Sequence, residues 1–164
     1  MVVRENYNPF EIDLTFDLVE GNLEVKQVEQ NFGKDTAWIF ANPLEKGDFV
    51  ALTSDSKTVK KAGASDEIIG QVITNPAWSG NRPSENTADG DYKRRVATIR
   101  LYGLYAQSVP LKETNAKIDV GNYVKYQGDN TFDKIGTKNG TRALENVPAN
   151  AGGTVLVLFK EYDF

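Results

Sequence analysis

The chain has no histidine and no cysteine among its 164 residues. Without cysteine it cannot form disulfides, thiolate metal sites or thiol nucleophiles. Without histidine, the Ser-His-Asp triad, the Cys-His pair and histidine-based zinc sites are excluded as well. Paired carboxylates or a lysine remain possible catalytic groups, but none of the 23 Asp and Glu residues stands in a context that singles it out. We therefore predict a protein that is not an enzyme, with no metal site and no cofactor.

An excess of positive charge and long apolar runs are also missing. The formal net charge is −4, so general attraction to nucleic acid or to an anionic membrane is not expected. The one basic cluster, Lys93-Arg94-Arg95, opens an apolar run and is interpreted as a solvated strand entry. No apolar stretch approaches the roughly 18 residues of a membrane helix, and the N-terminus has no signal-peptide core. We predict no nucleic-acid partner, no membrane association and synthesis in the cytoplasm.

Apolar residues, by contrast, are plentiful: the hydrophobic fraction is 40%, with 8 Phe and 7 Tyr to fill a core. Apolar and polar residues alternate from Phe10 to Leu18, which predicts a strand with five apolar side chains on one face. Residues 20–22 predict a turn and residues 23–28 a returning strand, so an N-terminal hairpin is expected. Residues 37–40, Ala-Trp-Ile-Phe, predict a short buried strand.

A strand motif occurs twice along the chain. Residues 47–52 read Gly-Asp-Phe-Val-Ala-Leu, and residues 121–126, about 74 positions later, read Gly-Asn-Tyr-Val-Lys-Tyr. After each come a polar turn, a second strand ending in glycine, a short apolar segment, a loop and a closing β-rich run. Four glycines are predicted to be structural turns, the first of each pair at positive φ: Gly47 and Gly63 in one copy, Gly121 and Gly136 in the other. The copies span about 44–102 and 117–160, and chance recurrence of a common strand start remains the alternative.

These patterns predict an all-β fold, a small β-barrel or β-sandwich with an internally repeated strand motif and an N-terminal hairpin. No long helical period is present. The predicted organisation is an N-terminal arm at residues 1–9 followed by a single domain at residues 10–164.

Two irregular segments are candidates for partner contact. The loop at residues 74–92 is longer than loops usually are unless they are functional or mobile. It contains residue types that are enriched at interfaces, and the N-terminal arm has a similar composition. The predicted contact residues are Arg4, Tyr7, Phe10, Trp78, Arg82 and Tyr92. The alternative for Trp78 is that it caps the core.

The first motif copy resembles the capsid decoration proteins (cement or head auxiliary proteins) of tailed bacteriophages. Their pattern "G-D-x-V-x-L … V-x-x-A-G … I-G-V", followed by "V-x-V-R-L", is echoed over about 60 residues, at 47–52, 59–63, 68–72 and 96–101. The opening hairpin and the 74–92 loop have no counterpart in that pattern.

The resemblance implies a structural virion protein that binds the outer surface of a phage capsid and stabilises it against internal DNA pressure. It further implies that the partner is the major capsid protein, that the protein is a homo-oligomer, most often a trimer in this family, and that it is made in the host cytoplasm. Contact with the capsid would fall to the arm and the long loop.

Two other functions stay open. The protein could be a carbohydrate- or receptor-binding β-module of a phage particle, with Trp38, Trp78 and the tyrosines as platforms for sugars. It could also be a carboxylate-based glycosidase, which would require a deep cleft holding two carboxylates about 5 to 10 Å apart.

Overall fold

A computed structural model of the chain describes residues 12–30, 33–80, 94–102, 106–138 and 141–159. Within these ranges all regular structure is β, as the sequence predicts, and no helix occurs. The strands are β1 Ile12–Val19, β2 Leu23–Gln30, β3 Gly33–Phe40, β4 Phe49–Leu52, β5 Thr58–Lys61, β6 Gly70–Val72, β7 Ala77–Trp78, β8 Arg95–Leu101, β9 Ala106–Pro110, β10 Tyr123–Gly128, β11 Thr131–Ile135, β12 Arg142–Ala143 and β13 Thr154–Leu158.

The first sheet closes into a five-stranded barrel. Its strand order is β1-β5-β4-β6-β8, and β8 pairs back onto β1, while the short β7 extends the sheet beyond β8. Strand β1 runs parallel to β5, with Leu18 opposite Val59, and β4 is antiparallel to both β5 and β6. Closure leaves no exposed strand edge within the ring. The buried apolar side chains of its strands include Phe16, Leu18, Phe49, Val50, Val59, Val72, Ala97 and Ile99.

The second sheet has the order β11-β10-β12-β13-β9. A parallel bridge between Leu111, immediately after β9, and Phe132 in β11 joins its two edges, and Lys112 N donates to Phe132 O at 3.2 Å. The other neighbours in this sheet are antiparallel. Its interior consists of Val109, Leu111, Val124, Tyr126, Phe132, Ala143, Val155, Val157 and Phe159.

The two sheets have the same topology. Strands β1, β4, β5, β6 and β8 of the first correspond in order to β9, β10, β11, β12 and β13 of the second, and the parallel β1–β5 pair corresponds to the parallel bridge between Leu111, after β9, and β11. The predicted internal repeat is therefore confirmed. Each copy also includes one strand, β1 or β9, that precedes the segment in which the sequence similarity is visible. Chance recurrence of a strand start does not reproduce a whole strand order, so that alternative is set aside.

The same turn opens β4 and β10. In the first copy Glu45 N donates to Asp48 Oδ2 at 2.8 Å; in the second Asp119 N donates to Asn122 Oδ1 at 2.9 Å. The intervening glycines, Gly47 and Gly121, have φ of +98° and +84°, in the region that favours glycine. This accounts for the Gly-Asp and Gly-Asn pairs of the repeat, because the side chain that follows the glycine closes the turn.

The effect of an alanine substitution on stability should distinguish Gly47 and Gly121 from the other two glycines of the motif, Gly63 and Gly136. We expect Gly47→Ala and Gly121→Ala each to lower the free energy of unfolding by about 1–2 kcal/mol, since an L-residue is strained at positive φ although nothing lies within 4 Å of the added Cβ. Gly136 lacks the positive φ and has the same open space, so Gly136→Ala should be neutral or stabilising by about 0.5 kcal/mol. Urea unfolding measures all three, and equal losses would contradict the assignment.

The hairpin near the N-terminus is not the one predicted. Strand β1 pairs with β5 and β8 instead of with residues 23–28. The hairpin forms between β2 and β3, with Leu23 opposite Phe40 and Val25 opposite Trp38. The prediction was wrong because local alternation shows that a strand exists but does not reveal its partner, and β1 finds its partner about 40 residues further along the chain.

The predicted burial of two strands is also corrected. The alternation in β1 buries Phe16 and Leu18, whereas Ile12 and Leu14 are exposed. Residues 37–40 form a strand, but it lies in the hairpin and is half-buried. In both cases the burial depends on whether another element covers the strand, which the local pattern does not encode.

The contacts group the chain into two compact units. Among the described residues, unit 1 comprises 12–13, 62–68, 100–102, 106–138 and 141–159, and unit 2 comprises 14–30, 33–61, 69–80 and 94–99. Unit 2 contains most of the first barrel and the whole hairpin, and unit 1 contains the second sheet. The arm at residues 1–9 lies outside the described residues, so the predicted division into arm and single domain stays a prediction.

Candidate interaction surface

The β2–β3 hairpin is an insertion that only one of the two barrels carries. In the first copy 29 residues, 20–48, join β1 to β4; in the second, 12 residues, 111–122, join the equivalent strands without a hairpin. The barrel topology therefore closes without this element. Among the described strands, β2 and β3 pair only with each other. A two-stranded hairpin is at best marginally stable alone, so the contacts at its base matter.

Backbone hydrogen bonds and one ring contact hold the base of the hairpin. Ala41 N donates to Asn22 O, and Asn42 N donates to Glu20 O, both at 2.8 Å. The rings of Phe40 and Trp78 stack with their centroids 5.4 Å apart. Strand β7 thus supports the hairpin through Trp78, whose backbone pairs with β8 opposite Arg95.

The part of one hairpin face nearest its base is apolar. Cross-strand partners lie on the same face of a sheet, so Leu23, Val25, Trp38 and Phe40 share one side. We call these four residues the hairpin apolar face. Val25 is 50% exposed, and the other three are half-buried. Grouped apolar side chains that remain in contact with water are a candidate interaction surface.

A pocket of about 180 Å³ lies beside this face, within unit 2. It is lined by Trp38, Ile39, Phe40, Pro43, Trp78 and Arg95. The chain has two tryptophans, and both line this pocket. Trp38 Nε1 is buried and has no hydrogen-bond partner within the described residues. A buried donor left unpaired is uncommon in folded proteins and calls for an explanation.

Arg95 forms one wall of the pocket and is itself fixed by a buried ion pair. Its Nε donates to Glu20 Oε2 at 2.9 Å, and its Nη2 donates to Glu20 Oε1 at 2.5 Å. The Glu20 side chain is 0% exposed and that of Arg95 is 19% exposed. Both groups also bind the backbone of Leu44: Leu44 N donates to Glu20 Oε1 at 2.7 Å and Arg95 Nη2 donates to Leu44 O at 3.0 Å. This pair joins the end of β1, the start of β8 and the chain after the hairpin.

The interpretation of the basic cluster as a solvated strand entry is wrong for Arg95. Arg94 does point to solvent, where it lies 3.7 Å from Asp55, but Arg95 turns inward to Glu20. Neighbouring residues of a strand face opposite sides, so two adjacent arginines meet different surroundings. Nothing local distinguishes them, because the buried carboxylate lies 75 positions earlier in the sequence.

The structure places one of the six predicted contact residues. Trp78 lies in β7, stacks on Phe40 and lines the pocket. The other five residues, Arg4, Tyr7, Phe10, Arg82 and Tyr92, lie outside the described residues. Sequence reasoning did not select Phe40 or Val25 as contact residues. Their alternation within residues 23–40 predicts strands, and how far each side chain stays exposed depends on what the rest of the chain places against it.

Other kinds of site find no support in the described part of the chain. Its acidic side chains form no group of three or more that could hold a metal ion. None of its segments is a helix long and apolar enough to cross a membrane. No carboxylate lines the pocket, so the pocket does not supply the two acids of a glycosidase. In comparisons with known proteins, no protein-family model and no curated protein matches this chain.

Proposed function

We propose that the protein is a structural component of a phage virion that binds the outer surface of the capsid and stabilises it. The observation that carries the proposal is the hairpin apolar face, on an element that one barrel has and its equivalent barrel lacks. The resemblance of the first motif copy to capsid decoration proteins supports the same function. The major capsid protein is the proposed partner, and a homotrimer is the proposed oligomeric state.

The physical basis of such stabilisation is mass action. A protein that binds the assembled shell, and does not bind its dissociated subunits, shifts the equilibrium toward the shell by its binding free energy. Many copies on one particle multiply the effect. Closed β-barrels suit this task, since a rigid scaffold loses little conformational entropy when its contact surface binds.

A second candidate is a receptor- or carbohydrate-binding module of the particle. The specific observation in its favour is that both tryptophans line one pocket. A competition experiment distinguishes the two functions. It measures whether soluble receptor or glycan ligands displace the protein from the particle.

Substitution on the hairpin apolar face tests the capsid proposal. We expect Val25→Asp to reduce the affinity for capsid particles at least about tenfold, because a desolvated apolar contact becomes a buried charge. Val120→Asp is the matched control: the side chain is 59% exposed, against 50% for Val25, and lies in the connection without a hairpin. Co-sedimentation with particles lacking the protein measures both. Binding of the Val25 variant at the wild-type level would overturn the role of the hairpin.

The remaining predicted contacts are tested in the same assay. Deletion of residues 2–9 and the substitution Trp78→Ala should each lower the occupancy of the particle. Unchanged occupancy with both variants would remove the arm and the long loop from the proposed contact surface.

A further inference from the structure

Strand β2 is an open edge of the hairpin. Within the described part of the chain it pairs with β3 and with no other strand, and it is eight residues long. Residues 24–27 of β2 are all exposed, whereas residues 37–40 of β3 are half-buried. An exposed strand edge is a template for pairing with another chain, and proteins usually shorten, cover or charge such an edge.

Alternate residues of β2 direct their backbone groups away from β3. Ala41 N donates to Asn22 O at 2.8 Å, which makes these two residues a hydrogen-bonded pair. Hydrogen-bonded and non-hydrogen-bonded pairs alternate along an antiparallel ladder, so the even-numbered residues of β2 bond to β3. The backbone N–H and C=O groups of residues 23, 25 and 27 therefore point outward, where a further strand can bind them.

The side chains of β2 match a second copy of the same strand. In an antiparallel pair centred on Val25, this residue lies opposite Val25 of the second copy, and Glu24 lies opposite Lys26 of the second copy. The two-fold symmetry repeats the Glu24–Lys26 contact, so opposite-charge pairs flank an apolar pair. A centre shifted by one residue would place Glu24 opposite Glu24, or Lys26 opposite Lys26, and directly opposed like charges are destabilising.

The geometry within one chain agrees with this register. Lys26 Nζ lies 3.8 Å from Glu24 Oε2, and the two side chains are 46% and 51% exposed. Both are on the same face of β2, because they are two positions apart. Two copies paired about Val25 would thus bring four charges of alternating sign together on that face.

We propose that the β2 edges of two copies of this protein pair in antiparallel register about Val25 and join two hairpins into one four-stranded sheet. The backbone groups of residues 23, 25 and 27 then find partners, and the hairpin gains the additional strands that an isolated pair lacks. The hairpin apolar faces of both copies lie on the same side of this sheet. The inference goes beyond the capsid proposal, and the contact, which relates two copies only, is distinct from that of the proposed trimer.

Charge exchange at the edge tests the inference. Glu24→Lys and Lys26→Glu each turn both opposite-charge contacts into like-charge contacts, so we expect each to raise the dissociation constant of self-association at least about tenfold. An equimolar mixture of the two variants restores the opposite-charge contacts and should associate about as tightly as the wild type. Sedimentation velocity of the full chain over a concentration series measures this, at low salt because salt screens exposed charges.

Two control variants show whether the effect depends on register and position. The double variant Glu24→Lys with Lys26→Glu keeps opposite charges across the pair and should associate like the wild type. Lys117→Glu alters a pair of the same spacing outside the hairpin, where Lys117 Nζ lies 3.1 Å from Asp119 Oδ1, and should leave association unchanged. Circular dichroism checks the fold of each variant.

Three results would overturn the proposal. The first is a wild-type chain that does not self-associate, and the second is self-association that is equally strong in the wild type and both single variants. The third is a mixture of the single variants that associates no more tightly than either variant alone.

The result is separable from the capsid proposal, because self-association is measured without particles. The Glu24 and Lys26 side chains lie on the face of β2 opposite Val25, so their variants retain the hairpin apolar face. A protein that self-associates through β2 but does not bind capsids would remove the capsid proposal and leave this inference standing. Capsid binding by a protein that does not self-associate would remove the edge pairing and leave the hairpin apolar face as the capsid contact.

Discussion

Arg95→Met is expected to lower the free energy of unfolding by about 3–5 kcal/mol. The substitution leaves Glu20 buried with no opposing charge, and its remaining hydrogen bond from Leu44 N does not replace a guanidinium that binds both carboxylate oxygens. It also removes the donor to Leu44 O. Urea unfolding followed by tryptophan fluorescence measures the loss, because both tryptophans lie in the same compact unit as the ion pair.

Arg100 supplies the matched control on the same strand. Its Nε donates to Asp13 Oδ1 at 3.0 Å and its Nη2 donates to Asp13 Oδ2 at 3.2 Å, but this pair lies at the surface. Arg100→Met should therefore cost at most about 1 kcal/mol, since water screens exposed ion pairs. Adding Glu20→Gln to Arg95→Met should recover part of the loss, because the uncompensated charge disappears. Equal costs for the two arginine variants would contradict the burial argument.

Phe132→Ala is expected to destabilise the second sheet by about 3–5 kcal/mol. The side chain is buried, and its ring meets those of Tyr126 and Phe159 edge to face at 5.5 and 6.1 Å between centroids. The same residue forms the bridge to Leu111 that joins the sheet edges. Truncation leaves a cavity at this closure, which the rigid surrounding strands fill only in part.

A surface residue of the same unit controls for general effects of truncation. Leu144 is exposed, so Leu144→Ala should change the free energy of unfolding by no more than about 0.5 kcal/mol. Unfolding is followed by far-ultraviolet circular dichroism, which reports on strands throughout the chain. A loss below about 1 kcal/mol for Phe132→Ala would contradict the argument that the buried ring is a main contributor to the stability of the second sheet.

The candidate site was predictable only in part. Trp78 was predicted as a contact residue, Trp38 was predicted only as a platform of the alternative carbohydrate-binding function, and both line one pocket. That Phe40 supports Trp78, and that Arg95 completes the wall, follows from the pairing of β7 with β8 and from the position of the hairpin. These contacts join residues that are tens of positions apart, and no local pattern carries that information.

The sequence by itself determined the all-β class and the repeat. Alternation with period two and a glycine before a turn-closing Asp48 or Asn122 are local properties, because each depends on residues only a few positions apart. The repeat is found by comparing two such local patterns about 74 positions apart. Tertiary structure decided which strands pair and which faces stay exposed. Strand β1 alternates like a hairpin strand, yet the barrel closes only when it runs parallel to β5 and meets β8. The inward turn of Arg95 to Glu20, and the exposure of the hairpin apolar face, follow from that closure, because burial is set by what the rest of the chain places opposite a residue.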